Sequence, residues 1–241
     1  MRRFYAAPET FSGSQITLSP DETRHLRDVL RLRETEKVQV FDGAGAEFSC
    51  TIEKITKSET VLRVLEKIAA PSAESDLNLT LAVALLKGEK FDFVVQKAVE
   101  LGAAKIVPLV TKRADVKIKD EREAAKKLER WQRIALEAAK QSGRAQLLEI
   151  QPITQFKDFI ESSGGQKILF AERGGEKFSA IKSSENIVAV TGAEGGWEEA
   201  EIEAARRENF QIVTLGGRIL RAETAAVVIA GILQNQFGDL N

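Results

Sequence analysis

The sequence predicts an α/β protein in two parts: a small β-rich segment, then a parallel sheet with helices between its strands. Three observations carry that prediction. Short apolar runs such as Ile187-Val188-Ala189-Val190-Thr191 are too brief for helices and rich in β-branched residues, the pattern of strands buried on both faces. From Leu79 onward these runs alternate with segments of helical spacing, which is the signature of a parallel sheet. Before about residue 70 the pattern is one of strands and glycine turns, and the small, polar, proline-bearing stretch Ala69-Ala70-Pro71-Ser72-Ala73-Glu74-Ser75-Asp76 separates the two styles. The expected domains are therefore residues 1–70 and 71–241.

Taken in order, Ser19-Pro20-Asp21-Glu22 offers an N-cap serine, a proline in the first turn and a glutamate three residues on, a capping box that starts a helix running to about Leu32. Arg24, Arg27 and Arg31 then share a helical face, and Arg24 to Arg33 holds four arginines against one aspartate. Strands follow at Lys37–Phe41, Glu47–Ile55 and Thr60–Glu66, the first two joined through Asp42-Gly43-Ala44-Gly45, a set that fits a small β-barrel. In the second part, strands are expected at Leu79–Leu86, Lys105–Val110, Lys167–Ala171, Ile187–Thr191 and Gln211–Leu215. Phe91, Val94, Val95, Ala98 and Leu101 mark a helix that stops at Gly102, and Asp120 caps a longer one to Gln141. The last helix, Ala222 to Phe237, is apolar almost all round and so requires covering on every side; a second copy of the chain, making a homodimer, is the expected cover.

Composition excludes several classes. With 35 Lys+Arg against 36 Asp+Glu the net charge is −1, so any nucleic-acid contact comes from a local patch such as Arg24–Arg33 and not from the whole surface. The single Cys50 rules out an internal disulfide and a cysteine zinc site; no metal is expected. The start MRRFYAAPET lacks a signal-peptide apolar core and no run is long enough to span a bilayer, so the expected location is the cytoplasm, with no membrane contact.

The two glycine turns are the chemical centre of the sequence. Gly192-Ala193-Glu194-Gly195-Gly196 follows one strand and Gly216-Gly217-Arg218 the next, at the carboxyl edge where open α/β sheets bind ligands. Neither matches the dinucleotide G-x-G-x-x-G nor the phosphate-binding G-x-x-x-x-G-K-[ST] pattern.

Residues TGAEGGW and LGGRILRAETA resemble the two signature loops of the RsmE family, S-adenosylmethionine-dependent RNA methyltransferases of the SPOUT class. Phe91–Arg113, Gln141-Ser142-Gly143-Arg144 and the Arg24–Leu32 stretch are similar to that family as well, so the resemblance covers nearly the whole chain. One departure is Ala193, where the family's Gly-Pro-Glu-Gly-Gly has proline; it leaves the loop less restricted in φ but removes no chemical group. The resemblance implies a SPOUT-type parallel sheet with a C-terminal trefoil knot, preceded by a PUA-like RNA-binding domain. It further implies methyl transfer from S-adenosylmethionine to N3 of a uridine in 16S ribosomal RNA of the small subunit. On this reading Thr191, Gly192, Glu194, Gly195, Gly196, Leu215, Gly216, Ile219 and Leu220 bind the cofactor. Arg221 stabilises negative charge on the uracil oxygens or pairs with a carboxylate, and Glu223 accepts the N3 proton or simply suits the first turn of its helix. Arg24, Arg27, Arg31, Arg113 and Arg144 are the candidate RNA contacts, with Gln141 beside them; His25, the only histidine, stands among arginines and suits RNA contact or plain exposure better than catalysis. Two other readings remain open at this point: a non-catalytic RNA-binding assembly factor, suggested by Ala193, and a SPOUT methyltransferase acting at another RNA position.

Overall fold

The computed structural model describes residues 2–240, and the chain folds into two compact units, Met1–Glu74 with Ala139–Leu147 and Ser75–Ala138 with Leu148–Asn241. In the first unit β1 (Arg3–Tyr5), β2 (Phe11–Ser12), β3 (Gln15–Leu18), β4 (Lys37–Phe41), β5 (Glu47–Ile55) and β6 (Thr60–Ile68) form one sheet in the order β1-β4-β5-β6-β3-β2. All its pairs are antiparallel except β1 with β4. Alternation does the sorting: Val38 and Val40 of β4 face a core with Phe4, Ile16, Leu18, Cys50, Ile52 and Leu62, while Lys37 and Gln39 face water. Register shifts at Ser49/Cys50 and Ile52/Lys54 bend the long β5–β6 ribbon so that the sheet curls around that core. Burial pushes the Cys50 thiol up to about 12, so this side chain is a small core hydrophobe and not a nucleophile.

The expected long helix after Ser19 is corrected. Ser19 does cap it, its Oγ accepting from the Glu22 N–H at 3.3 Å, but α1 (Pro20–Arg24) passes at once into a π-helical turn over His25–Val29. The Leu30 N–H reaches back to His25 O at 3.0 Å, five residues away, and Arg31 then takes a left-handed φ of +54°. Wider turns break the i, i+3, i+7 alignment, so Arg24, Arg27 and Arg31 do not share one face. Arg27 is in addition held bidentately by Asp28 and donates to the carbonyls of Thr56 and Lys57, whereas Arg24 and Arg31 stay exposed.

Periodicity gives no hint of the buried charges in this unit. Arg3 and Glu47 are fully buried side chains joined by two hydrogen bonds of 3.0 and 2.9 Å. The remaining Arg3 donors go to the carbonyls of Ala139, Gly143 and Arg144, the carboxyl end of a long helix whose last turn belongs to this unit. A cation satisfying helix-terminal carbonyls is favoured by the helix dipole. Arg144 is 4% exposed and bonded to Glu74 at 2.9 and 2.7 Å, so it serves this buried network and is corrected from a candidate RNA contact to a structural residue.

The second unit contains β7 (Asn78–Ala84), β8 (Lys105–Val110), β9 (Glu149–Ile150), β10 (Thr154–Gln155), β11 (Gln166–Phe170), β12 (Glu176–Lys177), β13 (Asn186–Thr191) and β14 (Gln211–Thr214). All pairs are parallel, in the order β10-β8-β7-β13-β11-β14-β12 with β9 beside β8. Helices α2 (Lys90–Glu100), α3 (Glu121–Ser142), α4 (Phe156–Ser162), α5 (Glu199–Arg207) and α6 (Ala222–Phe237) alternate with them. Helices α4 and α5 bring Phe156, Phe159, Ile160 and Ala205 onto the sheet, while α6 packs on β7, β13 and α2. Because β11 sits between β13 and β14, the loops that follow those two strands flank its carboxyl end. Among the described residues no helix is long and apolar enough to cross a membrane.

Only part of α6 is covered by its own chain. Ala222, Ala226, Ile229, Ala230 and Leu233 are buried, and Gln234 bonds Ser75 and Gly102; Ala225, Val228 and Ile232 are half-buried. Val228 and Ile232 border an open groove of about 910 Å³ with Phe178, Leu215 and Leu220.

Candidate functional site

A cavity of about 600 Å³ opens at the carboxyl edge of the second unit's sheet, walled by the loops after β11, β13 and β14, the start of α6, and side chains from α2 and from the loop after β8. The first glycine loop owes its shape to three close approaches. At Gly192 a Cβ would stand 3.1 Å from the Trp197 indole, whose Nε1 donates to Phe170 O at 2.9 Å and whose ring packs on Phe156. At Gly195 it would meet the Arg113 Cβ at 2.9 Å, and Arg113 Nη1 donates back to Gly195 O at 3.2 Å. At Gly196, left-handed with φ +68°, it would lie 2.5 Å from the Glu172 carboxylate. The turn closes through Gly196 N–H to Ala193 O at 3.0 Å, a bond to a carbonyl that proline would supply equally, so alanine at 193 leaves this contact intact.

After Trp197 the chain enters α5 through a capping box in which Glu198 and Glu201 satisfy one another's backbone N–H groups; Glu201 also accepts from Lys112 N at 3.0 Å. The second loop is different in kind. At Gly216 (φ +52°), which lines the cavity, and at Gly217 beside it, a Cβ would meet no heavy atom of the described residues within 4 Å, so the loop backbone is open rather than packed. Arg221, exposed, is the N-cap residue of α6.

Electrostatics converge on Lys90. Its Nζ donates to Glu194 Oε1 at 2.9 Å and lies 3.7 Å from Glu223 Oε2. Burial pushes the Glu194 carboxyl up, but the Lys90 hydrogen bond together with the Glu194 and Lys87 backbone N–H groups outweighs it and holds the group below the usual carboxylate range. The hydrogen bond to Glu194 likewise raises the Lys90 ammonium, which therefore remains charged.

All nine residues expected to bind a cofactor lie in the cavity wall: Thr191, Gly192, Glu194, Gly195, Gly196, Leu215, Gly216, Ile219 and Leu220; Arg221 and Arg113 join them. Glu223 does not. Its carboxylate is turned to Lys90 outside the wall, and its Oε2, buried, accepts no hydrogen bond from the described residues. Glu223 thus stands as a first-turn carboxylate of α6 beside Lys90. Arg24, Arg27 and Arg31 belong to the other unit. Sequence reasoning missed Lys90, Glu172 and Arg218, which also line the wall. A signal for Lys90 existed: Gly88, left-handed at φ +59°, follows β7 and precedes α2, the same strand, glycine and helix pattern as the two signature loops.

Comparison with known proteins gives this geometry a family. Residues 73–234 match the RNA methyltransferase domain and residues 18–65 the RNA methyltransferase PUA domain. The Ribosomal RNA small subunit methyltransferase E of Synechocystis sp. is 36% identical over 94% of this chain and 75% of its own length, and that of Bacillus subtilis 31% over 92% and 90%. Among solved structures, a Ribosomal RNA small subunit methyltransferase E from Neisseria gonorrhoeae bound to S-adenosyl methionine superposes with a TM-score of 0.91 at 36% identity, over 100% of both chains. A methyltransferase from Legionella pneumophila in complex with the same cofactor gives 0.92 at 32%, over 100% of this chain and 99% of that one. With a curled β unit of PUA type, a parallel sheet carrying two glycine loops at its carboxyl edge, and these relatives over nearly its full length, the chain belongs to the ribosomal RNA small subunit methyltransferase E family.

Proposed function

We infer that the protein transfers a methyl group from S-adenosylmethionine to N3 of a uridine in 16S ribosomal RNA of the small subunit. The observation that carries this is the cavity at the two glycine loops, whose residues fit that cofactor. Thr191 Oγ1 is buried with no hydrogen-bond partner among the described residues, which leaves a polar atom at the end of β13 for a ligand. Bare backbone at Gly216 allows close approach, Leu215, Ile219, Leu220 and Phe170 supply apolar walls for an adenine, and 600 Å³ lies in the range of small-molecule sites. When bound, the cofactor supplies an electrophilic sulfonium methyl, and displacement there needs neither metal nor covalent intermediate.

The chain's own contribution is position and charge. Arg221, at the wall, directs a fixed fork of donors at the uracil oxygens and stabilises the negative charge that appears as the N3 proton leaves to solvent. Arg113 braces the Gly195 carbonyl and so holds the first loop, whatever it also does for RNA. Residues 1–70 act as the RNA-binding domain and residues 71–241 as the catalytic one, with Arg24 and Arg31 meeting phosphates; Arg27, already engaged by Asp28 and two carbonyls, contributes less. Changing Arg24 and Arg31 together to alanine is expected to weaken RNA binding, to reduce the salt slope of log K by roughly 1.4–1.8, and to leave S-adenosylmethionine binding unchanged. Titrations of RNA at several salt concentrations check this, and an unaltered slope removes the phosphate assignment.

A second copy of the chain is the proposed cover for the open face of α6, where Val228 and Ile232 border the groove with Phe178. Light scattering should then give twice the 26.5 kDa chain mass at micromolar concentration, and a monomer there rejects the dimer. The trefoil knot belongs to the same proposal. It is supported by the crossing from β13 over β11 to β14, followed by the return of α6 to β13 and β7. Tracing the backbone with both ends drawn outward tests it, since a trace that pulls straight has no knot. A 16S substrate fits a cytoplasmic enzyme, which cell fractionation can check.

A further inference from the structure

Lys90 belongs to neither signature loop, yet three loops at the carboxyl edge of the sheet depend on the segment that carries it. Its Nζ bonds Glu194 of the first signature loop at 2.9 Å and stands 3.7 Å from Glu223 in the first turn of α6, immediately after the second. Three residues earlier, Lys87 presents its backbone N–H to the same Glu194 oxygen at 3.4 Å and its Nζ to Asp115, in the loop after β8, at 2.8 Å. Both carboxylates therefore point at one ammonium, and the buried Glu223 Oε2 has no hydrogen bond from the described residues to fall back on. Arg221 and Lys87 are also close enough to be felt at Lys90, where both oppose its charge rather than replace it.

We propose that Lys90 is a positioning residue for the methyl-donor pocket: its ammonium joins the Glu194 and Glu223 carboxylates and thereby fixes the spacing of the two glycine loops. This rests on the cofactor assignment made above. Without Lys90 two carboxylates face each other across the join, one with a buried oxygen, and like charges in a partly buried site separate or protonate. Separation moves Glu194 and the turn Ala193–Gly196 away from Arg221 and α6, so the cavity between the two loops changes shape even though no wall group has been lost except the ammonium itself.

The test uses the full chain and four proteins: wild type, Lys90→Met, Lys90→Arg, and Lys90→Met combined with Glu223→Gln. Calorimetric titration with S-adenosylmethionine is expected to show at least tenfold weaker binding for Lys90→Met, recovery of most of that loss by Lys90→Arg, and partial recovery by the double variant, which removes the repulsion without restoring the cation. The Lys90→Met affinity should also improve as pH falls from ~7 toward ~5, because the Glu194 carboxyl has lost the Lys90 hydrogen bond that helps hold it low; the wild type should show no such gain. A merely structural loss would not be rescued by acid. Hydrogen exchange of the ligand-free proteins supplies an independent readout, with faster exchange at residues 192–196 and 215–221 in Lys90→Met alone. A wild type that fails to bind S-adenosylmethionine refutes the cofactor assignment, whereas a wild type that binds while Lys90→Met binds equally well refutes the role of Lys90. If Lys90→Met does not fold, the single variant Glu223→Gln decides in its place, because it removes one of the two carboxylates that the ammonium joins: unchanged affinity and unchanged exchange at residues 192–196 and 215–221 overturn the proposal.

Discussion

Replacing Gly196 by valine is expected to reduce S-adenosylmethionine affinity by at least ~100-fold while the first unit stays folded. Two independent costs meet at this position. Its φ of +68° lies in the left-handed region, which costs a non-glycine residue about 1–3 kcal/mol and a β-branched one toward the upper end. Its Cβ would also stand 2.5 Å from the Glu172 carboxylate, so either Glu172 or the loop has to move, and both form the cavity wall. Since 1.4 kcal/mol is a factor of ten in affinity, a loss of about 3 kcal/mol from this pair of effects gives the expected two decades. Valine at Gly195 acts on the other side of the same turn, against Arg113 at 2.9 Å, and should weaken binding in the same direction. Calorimetry on both variants, with circular dichroism to confirm the fold, checks the point. Unchanged affinity in a folded Gly196→Val protein removes the glycine loops from the cofactor site.

Arg221→Ala should behave in the opposite way to a binding mutant: methyl transfer slows by about 10²–10³, the range for loss of one preorganised charge-stabilising donor, with RNA affinity changed far less. The basis is place rather than pairing. Arg221, exposed and extended, is the N-cap residue of α6 and lines the cavity; among the described residues it makes no ion pair with Glu223 or Glu194, both of which are engaged by Lys90. Its guanidinium is thus available to a substrate. Single-turnover transfer at saturating RNA and cofactor isolates the chemical step; a rate equal to that of the wild type, or a loss confined to RNA affinity, rejects the assignment.

The core strands and both glycine loops were legible in the sequence because their causes are local. A run such as Ile187–Thr191 is a strand wherever it is buried, and a glycine directly after it opens the carboxyl edge, so Gly192, Gly195, Gly196 and Gly216 follow from the residues alone. The same reasoning extends to Asp120, whose side chain caps α3 by accepting from Glu123 N–H at 2.7 Å. It failed where backbone geometry answers to packing. The Arg24–Arg31 face assumed an unbroken α-helix, but burial of Leu26 and the turn into β4 replace it with a π-turn and a left-handed Arg31.

Long-range charge pairing was illegible altogether. The chain alone determines that Glu194 and Glu223 are acidic and that Arg144 is basic; the fold decides that the first two share a lysine while Arg144 is buried against Glu74. Lys90 and Glu194 are 104 residues apart, and Arg3 finds its helix terminus 136 and more residues away. Propensity and periodicity act over a few residues, so the sequence by itself determined which elements form and where glycine bares the backbone. Which charges meet depends on the order of strands in the sheet and on what that order buries, and only the tertiary structure decided it.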